Sequence, residues 1–183
     1  MPPVLALFAN QEPVKLSITS KKIIMTNNIF SIAGKNYQQL APLFLRLAVG
    51  FGFMAHGWAK LGRGPEGFEK LLTQIHVPFP HIMAWVSPLV EVFGGFAVFA
   101  GIFVSLTAIP LICTMLVAMF TIHIHYGYSS IKTIGLTSQG PVFGPPGYEI
   151  NLLYVAGLVA LIISGAGKFS LDAIMAAKSK PVN

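Results

Sequence analysis

Residues 92–131 contain no Asp, Glu, Lys or Arg. A soluble helix or sheet keeps one polar face towards water. A charge-free stretch of this length has none to offer. About 20 mostly apolar residues cross the roughly 30 Å of hydrocarbon in a bilayer. The stretch therefore predicts a hairpin of two spans, 82–104 and 106–126, with a tight turn near residues 101–105. Segments 42–61 and 150–167 fit the same length rule. The expected architecture is all-α, a four-helix transmembrane bundle.

Composition agrees. Of 183 residues, 54% are hydrophobic and 10% charged, with mean hydropathy +0.70, whereas soluble domains are about 25% charged. Net charge is +6, but the basic residues are scattered without an aromatic stripe, which argues against nucleic-acid binding. Cys113 stands alone, so no intrachain disulfide, CxxC pair or multi-cysteine metal site can form. Residues 1–40 form a basic tail with Lys15, Lys21, Lys22 and Lys35, expected to be disordered or laid on the membrane surface. The apolar run 4–9 is too short for a signal-peptide core, and Met25 is a second candidate start. The membrane domain is assigned to 41–173, with a short C-terminal tail at 174–183.

The connections 62–81 and 127–149 are rich in Gly, Pro and aromatic residues and read as structured or re-entrant loops, not helices. With four spans, both termini share a side. Seven Lys and Arg fall there against four on the other. This bias places the N- and C-termini of a multi-pass membrane protein in the cytoplasm.

Helices in lipid pack through small residues. Span one offers Gly50 and Gly57; span two, Ser87, Glu91, Gly94 and Gly95. Span three offers a face of Thr107, Thr114, Ala118, Thr121 and His125. Span four offers Ala156, Ala160 and Ser164.

Glu91 lies mid-span, where a carboxylate costs about 2.5–3.5 kcal/mol on insertion scales. It should face the bundle, with Arg46 or Lys60 as partner. It reads as a proton-handling group or, more plainly, as half of a structural salt bridge. Arg46 reads as a structural charge near the cytoplasmic end. His56 lies one turn before Lys60. Chain direction sends His56, Lys60, His123, His125, Tyr126, Tyr148 and Glu149 to the outer face, with Glu91 about half a bilayer below. Proton donors, an aromatic-lined apolar cavity and a buried carboxylate are what a quinone or thiol site requires. His123 and His125 are two apart and diverge by about 200° on a helix, so no metal site is expected. His56 with one of them is the single arrangement that could hold a haem.

Several short motifs resemble the DoxX family. They are the run Arg46–Leu–Ala–Val–Gly50 with His56–Gly57 and Lys60, and Glu91 with Gly94–Gly95 and Gly101. His123 with Gly127–Tyr128, and Glu149, Gly165, Gly167 and Ser170–Leu171–Asp172, extend the likeness from about residue 40 to 173. The resemblance implies a four-helix inner-membrane protein. Some family members look like membrane subunits of thiosulfate:quinone oxidoreductases, others are linked to complexes handling thiol and oxidative stress, and most have no assigned activity. The resemblance selects His123, whereas helical phase selects His125.

The expected function is a quinone-interacting subunit with Glu91, His123 and His56 as catalytic groups. Lys60, His125, Tyr148 and Glu149 line its quinone site. Quinone is the expected cofactor, and the chain shows no redox-cofactor motif of its own. Expected partners are membrane lipid, a soluble redox subunit and a second copy in a homodimer. The rival expectations are a non-catalytic anchor for a soluble oxidoreductase and a small-solute or proton transporter.

Overall fold

The computed structural model describes residues 40–178. The expectations for the basic tail and for residues 179–183 lie outside them. Six α-helices occur among the described residues: α1 (Ala41–Gly62), α2 (Pro65–Gln74), α3 (Pro80–Ala100), α4 (Val104–Thr121), α5 (Glu149–Ser164) and α6 (Leu171–Lys178). A 3-10 turn at His123–Tyr126 follows α4, and a two-stranded antiparallel sheet, β1 (Thr133–Thr137) with β2 (Gly140–Phe143), precedes α5.

α1, α3, α4 and α5 pack in a cycle, α1 on α3, α3 on α4, α4 on α5 and α5 on α1. Their shared core holds Val49, Phe53, Val98, Ala108, Leu111, Leu158 and Leu161. α3 and α4 are long and apolar enough to cross a membrane. α1 has the length, but Arg46, His56 and Lys60 interrupt it; α5 is apolar, but only 16 residues long. The bundle's outside is lined with aromatic and aliphatic groups, among them Phe44, Phe51, Trp58, Phe93, Phe96 and Ile163. A water-soluble monomer rarely shows so much contiguous apolar surface.

The α1–α3 contact is as close as its glycines allow. A Cβ on Gly50 would lie 2.6 Å from the Phe99 backbone nitrogen, and one on Gly95 would lie 2.8 Å from the Gly50 carbonyl oxygen. These glycines do what small residues do in membrane bundles, letting two backbones touch.

Four expectations need correction. The fold is not all-α, because the 127–149 connection contains the β1–β2 hairpin. The 62–81 connection contains α2, where Pro65 follows Gly64 at a positive φ of 85°. Proline at the first helical position starts a helix instead of breaking it, and Leu72 then buries against the bundle. Helix α4 stops at Thr121, so His123 and His125 lie beyond its end. Ala156, Ala160 and Ser164 face outwards, and the buried side of α5 is Asn151, Gly157, Leu158 and Leu161. A strict four-residue spacing drifts by about 40° per step on a helix, and the two leucines bury more apolar area than two alanines. Helix α6 also carries order past residue 173, to Lys178.

Candidate functional site

α1 and α3 run antiparallel, which brings the end of α1 beside the middle of α3. Gly57 provides the space. A Cβ there would lie 2.9 Å from the Glu91 Cβ and 2.7 Å from the Pro88 carbonyl oxygen. One turn later, Lys60 Nζ donates to Glu91 Oε1 at 2.5 Å. Glu91 is 2% exposed and the Lys60 side chain 28%. The ammonium therefore reaches the surface while the carboxylate is enclosed. Phe68 of α2 lies over the ammonium, 5.1 Å from ring centroid to Nζ, within the range of a cation–π contact. Glu91 Oε2 is buried without a protein partner.

Of the two cations considered for Glu91, the structure pairs Lys60. Arg46 sits at the other end of α1, fully buried, with Nη2 donating to the Phe169 carbonyl oxygen at 3.0 Å. A Cβ on Gly101 would overlap its guanidinium.

The remaining candidates fall into separate groups. His56 meets Tyr154 of α5 edge-on, 6.0 Å between ring centroids, and Tyr154 also meets Phe53 at 5.1 Å. The Tyr154 hydroxyl lies against Gly52, where any Cβ would overlap it. His123 Nδ1 bonds the Pro146 carbonyl oxygen at 2.9 Å. Glu149 Oε2 accepts from the Ser130 backbone N–H at 3.0 Å, and Tyr148 packs on Tyr128 at 5.5 Å. These last contacts clasp the two arms of the 127–149 connection. His125 is exposed, and its side chain makes no hydrogen bond, ion pair or ring contact among the described residues. No hydrogen bond, ion pair or ring contact joins His123, Tyr148 or Glu149 to the Lys60–Glu91 pair among the described residues. Nor do three His, Cys, Asp or Glu residues gather there to hold a metal.

Two residues went unread in the sequence, one buried and one half-buried. Asn151 is 2% exposed, and its Nδ2 donates to the Met115 carbonyl oxygen at 3.2 Å. Tyr154 joins α5 to α1. A polar residue two positions into an otherwise apolar span was the signal for Asn151; Tyr154 gave none beyond ordinary interfacial aromatic character.

The segment holding the glycine seam and the ion pair, residues 41–124, matches the DoxX family model. This stretch, just under half of the chain, is similar to the DoxX family. The match ends just after His123, so it spans α1 to α4, while the family-like residues noted at 149–172 lie beyond it. Two uncharacterized proteins of Haemophilus influenzae are similar to the chain. One is 28% identical over 137 residues, 73% of this chain and 82% of the relative. The other is 27% identical over 140 residues, 75% of this chain and 92% of the relative. No solved structure matches significantly.

Proposed function

We propose that this DoxX-like protein is a quinone-interacting membrane subunit of an oxidoreductase that draws electrons from thiol or thiosulfate oxidation on a soluble partner. The observation that carries this reading is the state of Glu91. One carboxylate oxygen is held by Lys60, the other is buried without a protein partner, and the pair sits inside an apolar bundle. Reducing a quinone to a quinol consumes two electrons and two protons. A partner's sulfur substrate supplies the electrons as it is oxidised. Lys60, partly exposed, supplies a hydrogen bond to a ring oxygen. Glu91 takes up protons one at a time from the aqueous side past Lys60 and passes both to the ring oxygens, in a low-dielectric setting where such contacts are strong. His56 lies one turn from Lys60, on the Tyr154 side of α1. In this reading all four bundle helices span the inner membrane, both termini are cytoplasmic, and α2 lies along the outer surface over the ion pair.

Organic extraction of the purified chain, followed by chromatography, tests it. Stoichiometric quinone in the wild type, lost in a folded Glu91→Gln variant, is the expected result. Lipid-level background in both overturns it.

One observation favours a second reading, a membrane anchor for a soluble oxidoreductase. Two open clefts at the surface, about 280 Å³ beside Phe103 and Asp172 and about 410 Å³ along the polar side of α2, do not reach Lys60 or Glu91. An anchor loses partner retention in Glu91→Gln while the wild type carries no quinone.

A further inference from the structure

Asn151 presents the same anomaly as Glu91. Its Nδ2 is satisfied by Met115, yet its Oδ1 is buried with no protein partner. Orphaned buried acceptors are rare, because each forfeits a hydrogen bond it had in water. This bundle has one on α3 and one on α5.

Three contacts set both at one level of the bundle. Phe53 meets Gly95 on one side and Tyr154 on the other. One turn towards the Lys60 end, Phe53 gives way to Gly57 and Gly95 to Glu91, and Tyr154 gives way to Asn151. On α4, Leu111 packs on Gly94, and one turn further along lies Met115, the residue that Asn151 bonds. Glu91, Met115 and Asn151 thus share a layer, where Gly57 brings α1 against α3. The groups around this layer are Lys60 and His56 from α1, Leu111 and Met115 from α4, Tyr154 from α5 and Phe68 from α2.

We propose that Glu91 Oε2 and Asn151 Oδ1 are bridged by a buried water, which extends the Lys60–Glu91 pair across the bundle core to the α4–α5 seam. Two acceptors facing a common layer require a ligand with two donor hydrogens. Water is the smallest one, and buried waters characteristically bond otherwise unsatisfied buried polar groups. Asn151 is then a positioning residue. Its Nδ2–Met115 bond fixes the amide so that the oxygen, not the nitrogen, turns to the core. The bridge is independent of whether quinone is the substrate.

Difference infrared spectroscopy on the full chain in lipid nanodiscs tests it. A water O–H band that shifts in 18O-labelled water is expected in the wild type, and it should be absent in both Glu91→Leu and Asn151→Leu. Unfolding of the two single variants and the double should reveal coupling of about tenfold or more in the unfolding constant, beyond additivity. Asn151 serving only to bond Met115 predicts additive effects and a band indifferent to Glu91, and either result overturns the bridge. Should Asn151→Leu fail to fold, the wild-type and Glu91→Leu spectra decide alone. No band lost on removing Glu91 overturns the proposal.

Discussion

Helix α1 carries a cation near each end, and the two are used in opposite ways. Arg46 is enclosed, has no carboxylate within salt-bridge distance among the described residues, and holds the Phe169 carbonyl against the α3–α4 turn. Around it, Asp172 Oδ2 accepts from the Phe103 N–H at 2.8 Å, and its own N–H donates to the Gly101 carbonyl at 3.1 Å. Ser170 caps α6 by accepting from the Ala173 N–H at 3.1 Å. That end is a knot of backbone contacts that locks the chain after α5 onto the α3–α4 hairpin. Lys60, 14 residues on, is partly exposed and paired with a carboxylate that keeps one oxygen free. Arg46 holds one backbone carbonyl, and its Nε and Nη1 are buried without a protein partner; Lys60 reaches the surface and holds a carboxylate whose second oxygen is buried without one. Burial alone separates neither case, since Arg46 is the more buried of the two.

The contrast can be broken by substitution. Lys60→Met leaves the Glu91 carboxylate buried and unpaired. It should cost about 3–5 kcal/mol in denaturant unfolding, with most of the loss recovered in Lys60→Met/Glu91→Leu. A double variant as unstable as the single would mean the pair is not the source of the cost.

Gly50→Ala drives a methyl into the α3 backbone, where flexible side chains cannot yield. Loss of about 2–3 kcal/mol is expected by the same measurement. An unchanged midpoint would show that the α1–α3 seam is looser than its distances imply.

At the Arg46 end, Gly101→Ala combines a positive φ of 77° with overlap of the guanidinium. About 2 kcal/mol should be lost. Limited proteolysis should then cut within residues 165–178 faster than in the wild type. Equal cutting rates would show that the knot does not hold this segment.

The smallest effect belongs to the exposed pair His81–Glu69, at 2.9 Å. His81→Ala should change stability by no more than about 0.5 kcal/mol, because solvent screens exposed ion pairs. A larger change would mean that α2 depends on this contact to stay over Lys60.

Much of the bundle was legible in the chain. The charge-free stretch predicted the α3–α4 hairpin, whose helices end and begin at Ala100 and Val104. Apolar length alone marked α1 and α5, since hydrophobic runs need no knowledge of their neighbours. Glu91 stood out because a carboxylate in an apolar span is costly wherever it points. Which cation met it did not follow from the sequence. Arg46 and Lys60 lie on about the same side of α1, and the choice depended on how far α3 runs past α1 before Gly57 lets the helices touch. Phase reasoning does not decide between His123 and His125, because α4 ends at Thr121 and the helical angle no longer applies.

Sequence by itself determined what is expensive: long apolar spans, a buried acid, and glycines where side chains would separate helices. These are properties of single residues or of short periods along one helix. Tertiary structure decided who pays: Lys60 for Glu91, Phe169 for Arg46, Met115 for Asn151. Those pairings join residues from 31 to 123 positions apart. Their geometry comes from the antiparallel registers of four helices, a quantity that no one helix contains.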